Sequence, residues 1–205
     1  MGIENIMLSV IIPVYNSAQY LERCVNSILK QPRAFKLEII IINDGSTDQT
    51  ENTIFNLKNK HKCIKSYTTP NQGVYKARNL ALTKITGDYV WMLDADDYIN
   101  ENVLENIQYH ITNSKVQLDI IHLGYQQQNA DKSWQYKVPI GKHLEIIGGF
   151  EFLKRSDGRL FLWNNIYRTA FLTKHNIKFL AKSVSLEDSL FNINVFSKAK
   201  SVQLL

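Results

Sequence analysis

Residues 89–98 read YVWMLDADDY, which places five mostly apolar residues directly before three acids within four positions. The apolar run is typical of a buried strand that leaves the core at Asp94, with Asp96 and Asp97 close behind. Carboxylates this close repel one another and resist joint ionisation unless a cation lies between them. The stretch is therefore either a polar turn or part of a metal site.

Strands and helices alternate around this stretch. Apolar runs that predict further strands are LSVIIPV at 8–14, LEIIIIN at 37–43, CIKSY at 63–67 and LDIIHLGY at 118–125. Segments with apolar residues at helical spacing lie between them, and the one after the acids is predicted at 101–112. Strands that alternate with helices in this way imply crossover units and a mostly parallel sheet. We therefore predict an α/β fold with helices on the faces of a central sheet.

The pattern changes after residue 124. It predicts a hairpin whose strands carry Trp134, Tyr136 and Val138, with a turn near 129–132. The segments that follow are GGFEFLKR as a short helix, LWNNIYR as a strand, TAFLTKH as a helix start, LEDSLFNINVF as a helix and SVQLL as a strand. We expect one domain over 1–205, divided into halves 1–124 and 125–205. Because a strand seldom closes a domain without a tail, we expect a chain shortened at Leu205.

Composition is typical of a soluble globular protein. Of 205 residues, 44% are hydrophobic and 21% charged, with a formal net charge of +5. Lysine and arginine clusters at 30–36 and 58–65 are either solvated surface or a surface that attracts anionic lipid or a phosphorylated acceptor. Aromatic and basic residues do not interleave over a long run, so we expect no nucleic-acid partner. The oligomeric state stays open.

The two cysteines and the lack of a long apolar run bear on location. Cys24 and Cys63 fit core positions and define no disulfide framework, which indicates a reducing compartment. The run SVIIPV is too short for a signal peptide, and no segment approaches about 18 apolar residues. We expect a cytoplasmic protein, with contact to the inner face of the membrane left open.

Polar segments follow four of the predicted strands. They are 15–16, 43–45, 71–73 and 94–97. In an open α/β sheet, ligands bind beyond the carboxyl ends of the strands. We therefore expect these segments to converge on one rim of the sheet.

Asp94 and Asp96 are separated by one residue, so in extended chain both would point to the same side. Two hard oxygen donors with open positions suit Mg²⁺ or Mn²⁺. The alternative is that Asp96 or Asp97 caps a helix starting near Asn100. The position at the end of a central strand favours the metal site.

Four other charged residues each have a structural and a functional interpretation. Asp44 accepts the N–H of a uracil or thymine base, or it caps the following helix. Arg78 pairs with a diphosphate or with Asp44, or it forms a surface salt bridge. Glu187 and Asp188 compensate a helix dipole, or one of them is a general base.

Together these segments resemble the family-2 glycosyltransferases, which are inverting enzymes of the GT-A fold that use nucleotide-sugar donors. The matching pieces, in the family's order, are SVIIPVYN, INDGSTDQT, NQGVYKARNLAL, DYVWMLDADD, LWNNIYR and LEDSLF. The resemblance implies that 1–124 binds the nucleotide and that 125–205 is the smaller acceptor-side part. It also implies a UDP-sugar donor, an Mn²⁺ or Mg²⁺ cofactor, and a glycan or lipid-linked acceptor in polysaccharide or cell-wall assembly.

The resemblance also assigns roles to the residues that match the family's motifs. It implies that Pro13, Tyr15 and Asn16 line the nucleoside pocket and that Asp44 binds the uracil N–H. It implies that Arg78 supports the base or diphosphate, that Asp94 faces the ribose and diphosphate, and that Asp96 is the direct metal ligand. It implies that Asp188 is the catalytic base with Glu187 beside it, and that Trp163 and Asn164 line the sugar and acceptor side.

Two features depart from the family's pattern. Asn165 stands where many relatives carry lysine, and the chain stops at Leu205 where many continue. We therefore expect UDP binding with metal but weak turnover, and a domain that only binds nucleotide or a partner protein is the alternative. A nucleotidyltransferase is disfavoured because PVYNSAQY is not a glycine-rich phosphate loop. A haloacid-dehalogenase phosphatase is disfavoured because its aspartate pair follows the first strand.

Overall fold

The computed structural model describes residues 6–33, 35–129, 132–136, 144–156, 158, 160–180 and 186–205. The strands are β1 Met7–Val14, β2 Lys36–Asn43, β3 Ile64–Thr68, β4 Tyr89–Met92, β5 Ile120–His122, β6 Tyr125–Asn129, β7 Lys132–Tyr136, β8 Ile146–Ile147, β9 Asn165–Arg168 and β10 Val202–Leu204. The helices are α1 Ala18–Leu29, α2 Thr50–Lys60, α3 Val74–Leu82, α4 Val103–Asn113, α5 Gly149–Arg155, α6 Thr169–Lys174 and α7 Glu187–Phe196.

Eight strands form one mixed sheet in the order β3-β2-β1-β4-β9-β5-β10-β8. The first four run parallel to one another, and β10 is parallel to β5. Strand β9 is antiparallel to both β4 and β5, and β8 is antiparallel to β10. The predicted α/β fold with a mostly parallel central sheet is confirmed. A separate antiparallel pair, β6 and β7, forms the predicted hairpin strands.

The sheet is buried on both faces, as the continuous apolar runs of β1 and β2 predict. One core layer packs α1, α2 and α4 on the first face, and the other packs α3, α5, α6 and α7 on the second. Successive side chains of a strand point to opposite faces, so the residues of β2 divide between the layers. Ile39 and Ile41 belong to the first layer, and Ile40 and Ile42 to the second.

Helix starts differ from the sequence prediction at the acids. Helix α4 begins at Val103, after Asn102 in the left-handed conformation with φ of 64°. Neither Asp96 nor Asp97 is close enough in the chain to cap it, so the capping alternative for these acids is wrong. Helix α2 begins at Thr50, and the Asp48 carboxylate accepts the Thr50 N–H at 2.9 Å. Asp48 therefore supports the first turn of this helix.

Several other predictions have definite outcomes. Cys24 is buried on α1 as predicted, whereas Cys63 is half-buried just before β3, and both are free thiols. The hairpin turn at 130–131 and Val138 lie outside the described residues. Strand β8 was not predicted, because two residues carry no readable periodicity. In the ranges that the structure describes, no helix is both long and apolar enough to span a membrane.

Candidate active site

The loops after β1 and β2 are joined by the side chain of Asn16. Its Oδ1 accepts the Thr47 N–H at 2.8 Å and the Asp48 N–H at 3.3 Å. Its own N–H donates to Ser46 Oγ at 3.0 Å, and its φ of 50° is one that asparagine tolerates. Asn16 therefore fixes the rim by holding the neighbouring loop.

The residues just before Asn16 differ in what they offer a ligand. Pro13 is buried within β1, whereas Tyr15 and Asn16 are exposed. Tyr15 is 50% exposed, which leaves a ring at the rim that is free to stack on a planar ligand. Of the three residues expected to line a nucleoside pocket, Tyr15 is the one that presents an exposed ring, since the Asn16 side chain is bonded to the neighbouring loop.

Asp44 joins the ends of β2 and β3. Its buried carboxylate accepts the N–H groups of Gln72 at 3.0 Å and Gly73 at 2.8 Å, and the Thr69 hydroxyl at 3.2 Å. Gly73 has a φ of 94°, which an L side chain rarely adopts, and it directly precedes α3. The contacts of Asp44 are therefore with the segment before α3, and the expectation that it caps α2 is wrong.

The acids after β4 form a turn, not an extended chain. The Asp97 N–H donates to the Asp94 carbonyl oxygen at 3.1 Å. The prediction that Asp94 and Asp96 point to the same side required extended backbone, and the backbone here is a turn. Asp94 is half-buried and turned toward α3, whereas Asp96 is exposed and its carboxylate accepts no hydrogen bond from the described residues.

Negative charge accumulates at this turn. Burial, together with the charges of Asp94 and Asp96, raises the pKa of Asp97 to about 6, against the opposing effect of Arg23. Across the described ranges, no group of three or more His, Cys, Asp or Glu side chains is placed to hold a metal ion. A cation at the turn would therefore take ligands from one or two carboxylates, with the rest from water or a bound ligand.

Arg78 on α3 connects this turn to the start of α7. Its Nη2 donates to Asp94 Oδ1 at 2.9 Å, and its Nη1 donates to Asp188 Oδ1 at 2.8 Å and Glu187 Oε1 at 3.3 Å. The side chain is only 5% exposed. The alternatives that Arg78 pairs with Asp44 or forms a surface salt bridge are therefore wrong.

Glu187 and Asp188 lie in the first turn of α7, where carboxylates are favourable. Burial raises the pKa of Asp188, and Arg78 opposes the rise. The pKa of Glu187 is also raised by burial, again against Arg78. Dipole compensation alone does not explain two carboxylates that turn inward to one buried arginine. The arrangement fits a carboxylate base that is held in place.

The segment before β9 is only partly open. Trp163 is half-buried, stacks with Phe161 at a ring distance of 5.1 Å and meets Tyr125 edge-on at 4.7 Å. Asn164 is buried, and its Oδ1 accepts a hydrogen bond from Asn165 Nδ2 at 3.0 Å. Of the two residues expected on the acceptor side, only Trp163 reaches the surface, and the Asn164 side chain is buried.

Asn165, where many relatives carry lysine, is part of a buried polar group. Its Oδ1 lies 2.7 Å from His122 Nδ1, and its Nδ2 donates to the Phe161 carbonyl oxygen at 2.6 Å. Burial lowers the pKa of His122 to about 4, against the hydrogen bond to Asn165, so the imidazole is neutral at pH 7. Asn165 therefore contributes to the packing below the site and makes no contact at its surface.

Sequence reasoning missed three residues that build the site. Arg23 on α1 donates to the Asp96 carbonyl oxygen at 2.8 Å. It thereby stabilises the turn of residues 94–97, called the acid turn below. Asn79 makes two hydrogen bonds of 2.9 Å to the backbone of Phe179, whose ring lies 5.5 Å from the Arg78 guanidinium. Asn79 stands within NQGVYKARNLAL, but its partner is 100 positions away and no local pattern marks it.

Known proteins resemble this chain in sequence. The sequence profile of glycosyl transferase family 2 matches residues 9–176. The uncharacterized glycosyltransferase EpsJ of Bacillus subtilis is 27% identical over 205 residues, which cover 97% of this chain and 58% of that protein. The poly(ribitol-phosphate) beta-N-acetylglucosaminyltransferase TarS of Staphylococcus aureus is 30% identical over 200 residues, which cover 96% of this chain and 34% of that protein. The chain thus spans from about a third to somewhat over half of these relatives.

Solved structures give the same assignment. The crystal structure of S. aureus TarS residues 1–349 in complex with UDP-GlcNAc matches with a TM-score of 0.83 and 28% identity, over 98% of this chain and 56% of that one. Mannosyltransferase PcManGT from Pyrobaculum calidifontis, in complex with GDP-Man and Mn²⁺, shares the fold at a TM-score of 0.66 and 17% identity, over 97% of this chain and 56% of that one. The predicted GT-A fold is confirmed. The chain belongs to glycosyl transferase family 2.

Proposed function

We propose that the chain transfers a sugar from a UDP-sugar to a hydroxyl group of a glycan or lipid-linked acceptor, with inversion at the anomeric carbon. The donor class is supported by the likeness to TarS, whose structure has been solved with UDP-GlcNAc and with UDP. The observation that carries the proposal is that Asp188 and the acid turn lie on either side of one guanidinium. This shared contact supports a site in which a base and a diphosphate-binding region face one sugar.

The proposed reaction is a single displacement. Asp188 takes the proton of the acceptor hydroxyl as its oxygen attacks the anomeric carbon. A bond forms between that oxygen and the anomeric carbon, and the bond from the carbon to the diphosphate oxygen breaks. UDP leaves with the electron pair. Because attack comes from the face opposite the leaving group, the configuration inverts.

The acid turn fits a divalent cation. The Asp96 carboxylate is exposed, and the hard oxygens of Asp94 and Asp96 are the donor type that Mg²⁺ and Mn²⁺ prefer. Asp96 would be the direct ligand, and Asp94, with one oxygen on Arg78, has its second oxygen left. When bound, such a cation supplies neutralisation of the charge that develops on the diphosphate.

The nucleoside would lie on the rim formed by the first two loops. Tyr15 offers an exposed ring for stacking on the base. Asp44 accepts three internal hydrogen bonds, and two carboxylate oxygens have about four acceptor sites, which leaves capacity for one uracil N–H. This capacity does not separate uracil from thymine, because both present the same N–H.

The setting of the reaction is also part of the proposal. A UDP-sugar donor and two free thiols fit the cytoplasm, and peripheral contact with the membrane would serve a lipid-linked acceptor. Since the chain spans little more than half of EpsJ, we expect weak turnover from residues 1–205 alone. The second candidate is a domain that binds nucleotide or a partner protein and transfers no sugar.

Metal-dependent turnover is the test of this proposal. We expect UDP release from UDP-GlcNAc or another UDP-sugar in the presence of Mn²⁺, and its loss when EDTA is added. Asp96→Asn should lower that rate about tenfold or more, because it removes the exposed ligand. Glu101→Gln, which removes the same charge from another exposed position, should leave the rate unchanged. UDP binding with no release from any UDP-sugar would favour the binding domain.

The pH dependence of the rate tests the identity of the base. Asp188 acts only when deprotonated, and burial raises its pKa above the usual 3.8. We therefore expect kcat/KM to fall as pH is lowered, with the fall centred above pH 3.8. Initial rates of UDP release across the acid range measure this limb. A rate that stays constant down to pH 3.8 would contradict the assignment.

A further inference from the structure

We infer that Arg78 is a positioning residue that holds the Asp188 carboxylate in place, and that it is not a ligand of the donor diphosphate. The inference rests on the proposed function, because it concerns how the base of that reaction is held. It also departs from the role that the family resemblance implies for this arginine.

Both terminal nitrogens of the Arg78 guanidinium already donate to carboxylates. Nη1 donates to Asp188 and Glu187, and Nη2 donates to Asp94, at distances between 2.8 and 3.3 Å. Nε has no hydrogen-bond partner among the described residues, and it is buried, so the surface does not expose it to a donor. With 5% of the side chain exposed, the guanidinium offers no free edge to a diphosphate.

An aromatic ring also holds the Arg78 guanidinium in place. The ring of Phe179 lies 5.5 Å from the guanidinium carbon, within the range of a cation–π contact. The backbone of Phe179 is in turn held by Asn79, the next residue of α3, through two hydrogen bonds. Arg78 therefore sits between a fixed aromatic ring and three carboxylates, and its position is determined on both sides.

Moving Arg78 onto a diphosphate would be unfavourable. It would leave Glu187 and Asp188 beside each other with no positive charge in contact, in a site where their side chains are only 17% and 30% exposed. Removing the partner of a buried charge is strongly destabilising. The retained pairing instead keeps the Asp188 oxygen at a fixed place relative to Asp94, which is what a base in a displacement requires.

The test separates donor binding from turnover. We expect Arg78→Gln to keep the Kd for UDP with Mg²⁺ within about threefold of the unsubstituted protein, while Asp96→Asn weakens it about tenfold or more. For UDP-GlcNAc, Arg78→Gln should lower kcat by about thirtyfold with little change in KM. Arg78→Lys should recover part of kcat, because an ammonium can still pair with Asp188.

A double-mutant cycle reports on the contact itself. Arg78→Gln and Asp188→Asn should lower the melting temperature together by less than the sum of their separate effects, because they remove one shared interaction. This arm needs no donor and is measured by thermal unfolding alone.

The outcomes separate the two claims. Arg78→Gln weakening UDP as much as Asp96→Asn would overturn the inference and make Arg78 a diphosphate ligand. An unchanged kcat in folded Arg78→Gln would also overturn it and leave a role in stability alone. Additive decreases in melting temperature would show that Arg78 and Asp188 are not coupled, and this result would also overturn the inference. No UDP binding by the unsubstituted protein would overturn the proposed function, whatever the cycle shows.

Discussion

Replacing Asp188 with asparagine is expected to lower kcat for sugar transfer by about 10²- to 10⁴-fold, the usual contribution of a general base. Asparagine keeps the shape and one oxygen that can accept from Arg78 Nη1, so the variant should fold. UDP affinity should change little, because the proposed donor contacts lie on Tyr15, Asp44 and the acid turn. The rate of UDP release and the Kd for UDP, measured on the same preparation, check both parts.

Glu187→Gln is the matched control. The Glu187 carboxylate lies 3.3 Å from Arg78, farther than that of Asp188. The substitution removes one negative charge, as Asp188→Asn does, at the adjacent position. We expect a smaller loss of rate than for Asp188→Asn. If Asp188→Asn keeps more than about a tenth of the rate, or if Glu187→Gln loses more, then Asp188 is not the base.

Glu38→Ala is expected to destabilise the fold by about 2–4 kcal/mol. Glu38 is buried on β2, and its carboxylate accepts the Ser9 hydroxyl at 2.7 Å, the Thr86 N–H at 2.5 Å and Lys65 Nζ at 2.8 Å. Removing it leaves the buried Ser9 hydroxyl without its acceptor, which costs about 1–3 kcal/mol, and it also removes the acceptor of the Thr86 N–H. Urea unfolding followed by circular dichroism measures the change.

Lys65→Met shows which contact dominates. Its side chain is 47% exposed, and ion pairs with an exposed partner contribute about 0–1 kcal/mol. We therefore expect a loss well below that of Glu38→Ala. Equal losses in the two variants would mean that the ion pair, and not the hydrogen bonds from Ser9 and Thr86, is what stabilises this region.

The same carboxylate makes stability depend on pH. Burial alone would raise the pKa of Glu38, but hydrogen bonds from Lys65, Ser9 and Thr86 outweigh it and lower the pKa below 4.5. The stabilisation is therefore complete above pH 4.5 and is lost as pH falls through the lower folded pKa. Glu38→Gln should reduce the loss of stability over this acid range.

The sheet was predictable from the sequence because its longer strands are marked by local apolar runs. The runs of β1 and β2 are apolar on both faces, and helices with one apolar side separate them, so the parallel alternation follows from short-range pattern. Strand β8, with two residues, shows no such pattern. Its place in the sheet depends on pairing with β10 from more than 50 positions away.

The convergence of the polar segments was also predictable, but the partners within the rim were not. Carboxyl ends of parallel strands share one edge, so Asn16, Asp44 and Asp94 had to come near one another. Asp94 turns toward Arg78, and Asp188 meets the same guanidinium because the first turn of α7 lies beside it. Residue 188 lies 110 positions beyond residue 78, and charge pattern alone does not fix such a contact.

A calorimetric titration of UDP into the protein, first with Mn²⁺ and then with EDTA, tests the central claim most directly. Exposed Asp96 and stacking on Tyr15 predict binding with Mn²⁺ and its loss, or a large weakening, after chelation. Absence of UDP binding in both conditions would contradict the account, because the acid turn would then hold neither cation nor donor.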